Sequence, residues 1–175
     1  MFLSDSTIKE YISKGKIKIE GEYEIEPIGI SLHLHDELLI PKPYQTVDSK
    51  NPKEIEYIKY NLTQAPYVLK PNEFVLGSTK EIINTDKDII TIIDGRSTYA
   101  RVGMSIHISA MILDGLPFNH ERSVLEIKNS GLFNIFLHPS EKVGTYLFST
   151  LSDSISGDKE SVYKDQKSVS PPKFE

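Results

Sequence analysis

The sequence predicts a mainly β fold (a sandwich, jelly roll or barrel) opened by one short helix. Two observations carry that prediction. Short β-type runs recur at regular spacing along most of the chain, and turn residues separate them. In order, residues 4–14 read as the helix: Ser4 is a candidate N-cap, Ile8, Tyr11 and Ile12 form an apolar stripe, and Gly15 stops it. Ile30-Ser31-Leu32-His33-Leu34-His35 alternates with Ile30, Leu32 and Leu34 on one face. Further strands are expected at Tyr67–Leu69, Phe74–Leu76, Ile89–Ile93, Met104–Ile108, Met111–Leu113, Val124–Ile127, Ile135–Leu137 and Thr145–Phe148. Lys70-Pro71-Asn72-Glu73 and His138-Pro139-Ser140-Glu141 read as turns. Residues 41–66 are polar, contain proline and tyrosine, and read as an insertion or long loop. From about Ser152 the apolar content falls away. The organisation expected is one domain over residues 1–151 and a mobile C-terminal lid or tail over 152–175.

Composition narrows the function classes. A chain of 175 residues is long enough to bury a core. Its net charge of −5 argues against a general nucleic-acid binder, which needs a basic face. No cysteine is present, so disulfides, thiolate catalysis and Cys-containing zinc sites are excluded. The N-terminus lacks the pattern of a signal peptide and no segment has the length of a membrane span. The location expected is cytoplasmic, with no membrane partner.

The chain has only three arginines, Arg96, Arg101 and Arg122, against 17 lysines. Lysine serves wherever a plain surface charge is enough, so arginine marks places that need a rigid, permanently charged fork. Arg96 and Arg101 lie in Asp94-Gly95-Arg96-Ser97-Thr98-Tyr99-Ala100-Arg101, after the apolar run Ile89–Ile93. This reads as a strand turning into a short helix whose N–H groups, hydroxyls and guanidinium groups suit an anionic ligand. The alternative is that these arginines pair with some of the 25 acidic side chains. Glu126, in Val124-Leu125-Glu126-Ile127, points either to solvent or into a pocket. An enclosed carboxylate there would have its pKa raised toward the working range of a general acid/base.

The order of motifs resembles the dCTP deaminases, within the trimeric dUTPase-like superfamily. The resemblance runs through Met1-Phe2-Leu3-Ser4-Asp5, Leu69–Thr79, Asp94–Gly103, His107-Ile108-Ser109-Ala110, Ile112-Leu113-Asp114, Leu125–Asn129 and Tyr163-Lys164-Asp165-Gln166. It implies a distorted jelly-roll (β-clip) dUTPase-like fold with a short helix after Gly-Arg-Ser, assembled as a homotrimer with active sites between subunits. It implies roles too. Arg96, Ser97, Thr98 and Arg101 match the element that holds the triphosphate, with Ser97 and Arg101 also in the catalytic water network. Asp114 matches the acid that meets the deoxyribose, and Glu126 the catalytic carboxylate. Tyr163 and Gln166 match the segment that closes over the nucleotide.

The activity implied is hydrolytic deamination of dCTP to dUTP and ammonia, in pyrimidine deoxynucleotide metabolism. Magnesium would arrive on the triphosphate and no zinc would take part. The zinc deaminases need a His-x-Glu and Pro-Cys-x-x-Cys set that His33, His35, His107, His120 and His138 do not form. His33 and His35 share a strand face and read as solvated rather than metal-binding. The alternatives are a bifunctional enzyme carrying dUTP on to dUMP, a dUTP diphosphatase, and a non-catalytic nucleotide-binding regulator; dTTP is a candidate inhibitor. Glu126 favours deamination, because the matching position of the dUTPases is usually apolar.

This chain departs from the family pattern at several places. Ser31-Leu32-His33-Leu34-His35 stands where Asp-Leu-Arg-Leu-Gly is usual. The hairpin from Asp114 to Glu126 is about two residues longer by motif spacing. Val162 replaces the lysine before the closing tyrosine, leaving Lys159, Lys164 or Lys167 to supply a phosphate contact. Arg122 lies in the lengthened hairpin, matches no motif, and reads as an ordinary surface or subunit-contact residue.

Overall fold

In the computed structural model, residues 1–114, 117, 122–157, 163 and 166–174 are described. Helix α1 spans Asp5–Ser13 and places Ile8 in the core. Ser4 is the N-cap residue, but its hydroxyl faces Ser6 and Thr7 hydroxyls instead of a helix N–H. Gly15 follows at φ +71°, the left-handed conformation that ends helices cheaply only at glycine.

The strands that follow are β1 (Ile17–Glu20), β2 (Ile25–Glu26), β3 (Gly29–His33), β4 (Glu37–Pro41), β5 (Tyr57–Asn61), β6 (Tyr67–Leu69) and β7 (Phe74–Ser78). Next come β8 (Ile82–Thr85), β9 (Ile89–Gly95), helix α2 (Ser97–Ala100), β10 (Met104–Ser105) and β11 (Ile112–Leu113). The series ends with β12 (Val124–Asn129), β13 (Ile135–Leu137) and β14 (Lys142–Thr150). Two five-stranded sheets, ordered β11-β9-β14-β3-β2 and β10-β12-β7-β4-β5, are antiparallel throughout. Two-stranded pairs β1-β8 and β13-β6 complete the fold.

One core joins the large sheets. Ile30, Leu32, Ile93, Tyr146 and Phe148 from the first meet Leu38, Val75, Leu125 and Ile127 from the second. Alternation explains the faces: along β12, Leu125, Ile127 and Asn129 are buried while Val124, Glu126 and Lys128 lie half-buried on the opposite face. The two expected turns are present, with Asn72 and Ser140 at φ +65° and +57°. Asn tolerates this region well because its short polar side chain bonds locally.

Two expectations are corrected. Residues 41–66 are not one long loop: Tyr57–Asn61 forms edge strand β5 along β4, its pairing invisible in a sequence whose polar residues face water. His33 and His35 do not make a solvated face either. His33 Nδ1 lies 2.6 Å from Oε1 of Glu81, a carboxylate with no exposed surface, and the His33 N–H donates to Glu81 Oε2 at 3.1 Å. His35 is half-buried, and among the described residues its enclosed Nδ1 has no partner. Strands β1, β2, β4 and β8 have no clear signal in the sequence either, because short pieces beside charged residues carry little periodicity of their own.

Candidate active site

The second large sheet has an outer face as well as a core face. Leu39 of β4, Leu76 and Phe74 of β7, Tyr57 of β5 and Val124 of β12 gather there. Register places Glu126 of β12 opposite Leu76 of β7, so the carboxylate shares this apolar floor. A cleft of about 550 Å³ opens over the floor. Its walls come from three further segments: Ala110, Ile112, Leu113 and Asp114 around β11, Val47 and Ile55 of the 42–56 loop, and Tyr163, Gln166, Ser170, Pro171, Pro172 and Phe174 of the C-terminal segment.

Glu126 is half-buried in this cleft, and its Oε2 accepts the Ile108 N–H at 3.2 Å. That bond fixes one carboxylate oxygen to the segment following β10. Asp114, Tyr163 and Gln166 line the same cleft. The pocket reading of Glu126 therefore holds over the solvent reading, and four of the sequence-predicted residues come together in a single chain. The cleft is largely apolar with convergent acidic, hydroxyl and amide groups, the mix expected of a small-molecule site.

Arg96, Ser97, Thr98 and Arg101 do not line the cleft. All four are exposed around α2, a single helical turn following β9. Arg96 is extended (φ −80°, ψ 135°) and its N–H donates to the Val143 carbonyl at 3.3 Å. The turn is anchored from beneath by Tyr99, which packs on the core and donates its hydroxyl hydrogen bond to Glu141. Burial and the adjacent Glu141 carboxylate both push the Tyr99 phenol above its ordinary range, so it remains a donor. The next turn is held by Gly103 at φ +88°; a Cβ there would lie 2.4 Å from the Gly131 nitrogen.

Arg122 requires correction. It is a wall of the cleft, not an ordinary surface residue. Its Nε donates to the Lys167 carbonyl at 2.9 Å, and its Nη1 donates to the carbonyls of Thr79, at 3.0 Å, and Lys80. The sequence also missed Val47, Ile55, Tyr57 and the Pro171-Pro172 wall. A signal for the last existed: Val169 and Phe174 are apolar residues isolated in a polar tail. Val169 is buried against Leu39 and Leu76. Val162, Lys159 and Lys164 lie outside the described residues, as do most of the hairpin residues between Asp114 and Arg122, and His120 among them. Lys167 is exposed.

The dCTP deaminase-like family model matches residues 2–151. This chain belongs to that family. It is 34% identical over 160 residues to the "dCTP deaminase, dUMP-forming" of Methanobrevibacter smithii, covering 86% of this chain and 80% of that one. Against the "dCTP deaminase" of Buchnera aphidicola it is 30% identical over 189 residues, covering 98% and 97%. Among solved structures, 2'-deoxycytidine 5'-triphosphate deaminase from Agrobacterium tumefaciens matches with a TM-score of 0.64 at 14% identity, over 84% of this chain and 47% of that one. The EIAV dUTPase matches with a TM-score of 0.50 at 17% identity, over 82% and 97%. The dUTPase-like fold expected from the motifs is therefore the fold of this family member.

Proposed function

We propose that this protein hydrolyses dCTP, releasing ammonia, with Glu126 as the catalytic acid/base. The observation that carries the reading is the Glu126 carboxylate on an apolar floor, one oxygen held by the Ile108 N–H, beside Asp114, Tyr163 and Gln166. Water adds to C4 of the cytosine as the carboxylate removes its proton and passes it to the ring nitrogen N3. Glu126 then takes the proton of the new C4 hydroxyl and delivers it to the amino group, which leaves as ammonia as the C4 carbonyl forms, so that dCTP and water give dUTP and ammonia. Asp114 meets the deoxyribose, and Tyr163 and Gln166 lie against the nucleotide.

Arg96, Ser97, Thr98 and Arg101 hold the triphosphate and the attacking water from the neighbouring copy of a homotrimer. Their position outside the cleft of their own chain supports this arrangement, as do the exposed Leu132, Phe133 and Phe136. A magnesium ion would ride on the triphosphate oxygens and neutralise their charge. Among the described residues no helix is long and apolar enough to cross a membrane.

A second step is favoured by the relatives named dUMP-forming, including those of Methanobrevibacter smithii and Methanothermobacter thermautotrophicus. In that step a second water cleaves dUTP to dUMP and pyrophosphate. The test is the product spectrum from dCTP and magnesium, separated by chromatography. Ammonia with dUMP is expected; ammonia with dUTP alone would remove the second step. No product at high enzyme concentration would overturn the deaminase reading and leave the regulator alternative, which binds without turnover. Pyrophosphate from dUTP without deamination of dCTP would instead identify a dUTP diphosphatase.

A further inference from the structure

Arg122 presents a fork of hydrogen-bond donors, yet among the described residues no carboxylate pairs with it. Among the described residues its guanidinium partners are all backbone carbonyls. Two of them, Thr79 and Lys80, belong to the segment that leaves β7; the third, Lys167, belongs to the C-terminal segment. The main chain repeats the same link. Arg122 N–H donates to the Gln166 carbonyl at 3.1 Å, and the Gln166 side-chain amide donates to the Arg122 carbonyl at 3.3 Å.

Behind Arg122 the anchor is rigid. Thr79 N–H donates to the Ser123 carbonyl at 2.9 Å, and Ser123 N–H donates to the Thr79 hydroxyl at 3.0 Å. Ser123 also meets the hydroxyl of Tyr146, which has no exposed surface. In front, the held segment reaches the cleft. The Gln166 N–H donates to the Tyr163 carbonyl at 3.2 Å, the Tyr163 hydroxyl accepts the Lys173 N–H at 2.9 Å, and Val169 is buried on Leu39 and Leu76.

We infer that Arg122 is a positioning residue, a latch that ties the C-terminal segment to the β7–β8 connection and so sets Tyr163 and Gln166 against the cleft. The chemistry favours arginine. One planar group directs several donors along separate lines and so reaches carbonyls from two chain segments together, whereas an ammonium is a single point. The inference rests on the cleft being the nucleotide site, but the latch itself is measurable without any nucleotide.

Amide hydrogen exchange on the full-length protein is the direct test. Arg122→Ala should speed exchange across residues 167–174 by about tenfold or more while leaving core amides such as those of β9 and β14 unchanged. In the same variant the KM for dCTP should rise about tenfold with kcat within about twofold, because the groups lost touch the nucleotide and not the reacting water. Arg122→Lys, which keeps the charge without the fork, should fall between the two proteins and serves if the alanine variant fails to fold. Val169→Asp should free the same segment from its other end, and adding Arg122→Ala to it should change little more, as expected of two ties on one strap.

Unchanged exchange at 167–174 in both Arg122 variants would overturn the latch, whatever the activity. Faster exchange with an unchanged KM would overturn the positioning role. Faster exchange in a protein whose wild type never turns over dCTP would uphold the latch and overturn the nucleotide reading alone.

Discussion

Glu126 makes the sharpest residue-scale prediction. Glu126→Gln preserves the oxygen that accepts the Ile108 N–H, so its effect isolates the lost proton chemistry. Deamination should fall by about 10²–10⁴-fold with the far-ultraviolet dichroism and thermal midpoint unchanged; ammonia release measures it. Retained turnover would move the acid/base role elsewhere. His35 gives a prediction in pH. Burial lowers its pKa, and the nearby Arg122 and Lys80 act in the same direction, against Asp36 and Glu37. The folded ring therefore resists protonation. Its contribution to stability is complete above the unfolded value of about 6.5 and is lost as pH falls below it. Thermal midpoints between pH 8 and 5 should drop more steeply for the wild type than for His35→Gln; parallel curves would exclude His35 as the cause.

At the scale of elements, α2 is a single turn, and its place depends on what lies on either side. Tyr99 fixes it inward, and Gly103 lets the following turn approach the Ser130–Gly131 backbone, which Gly103 meets through a bond from Ser130 N–H to its carbonyl at 2.8 Å. A methyl group at 103 would collide with the Gly131 backbone in a conformation that already disfavours side chains. Gly103→Ala should cost roughly 1–3 kcal/mol in denaturant unfolding and move α2 enough to weaken dCTP binding. Unfolding at the wild-type midpoint would show that the contact relaxes freely. Strand β12 illustrates what the sequence can carry at this scale. Its alternation places Leu125 and Ile127 in the core and leaves Glu126 on the other face, and the opposite register with β7 would bury the carboxylate beneath the sheet.

On the whole-molecule scale, Arg96, Ser97, Thr98 and Arg101 lie outside the cleft of their own chain, so the proposed role for them in holding the triphosphate calls for two copies per site. A solution mass of three times the 19.8 kDa chain is expected by sedimentation. Arg101→Ala and Glu126→Gln should each be inactive alone, yet regain activity when mixed and allowed to exchange subunits. Hybrid trimers then carry sites with both residues intact, up to roughly a quarter of the total for random assembly. No recovery despite demonstrated exchange would place the whole site within one chain.

Most of what can be read from this chain before it folds is local. Gly15 and the alternation of β9 and β12 declare their conformations through backbone sterics and a period of two, and Arg96–Arg101 and Glu126 stand out by chemistry within ordered motifs. Edge strand β5, the buried pairing of His33 with Glu81, and the Val169 contact carry no such local signal. Each depends on a partner dozens of residues away, and pairing of that kind is decided only when the sheets close. Arg122 is the clearest case. Read alone it is an exposed charge in a hairpin; only the folded chain brings Thr79, Lys80 and Lys167 together, and their carbonyls give its guanidinium a task.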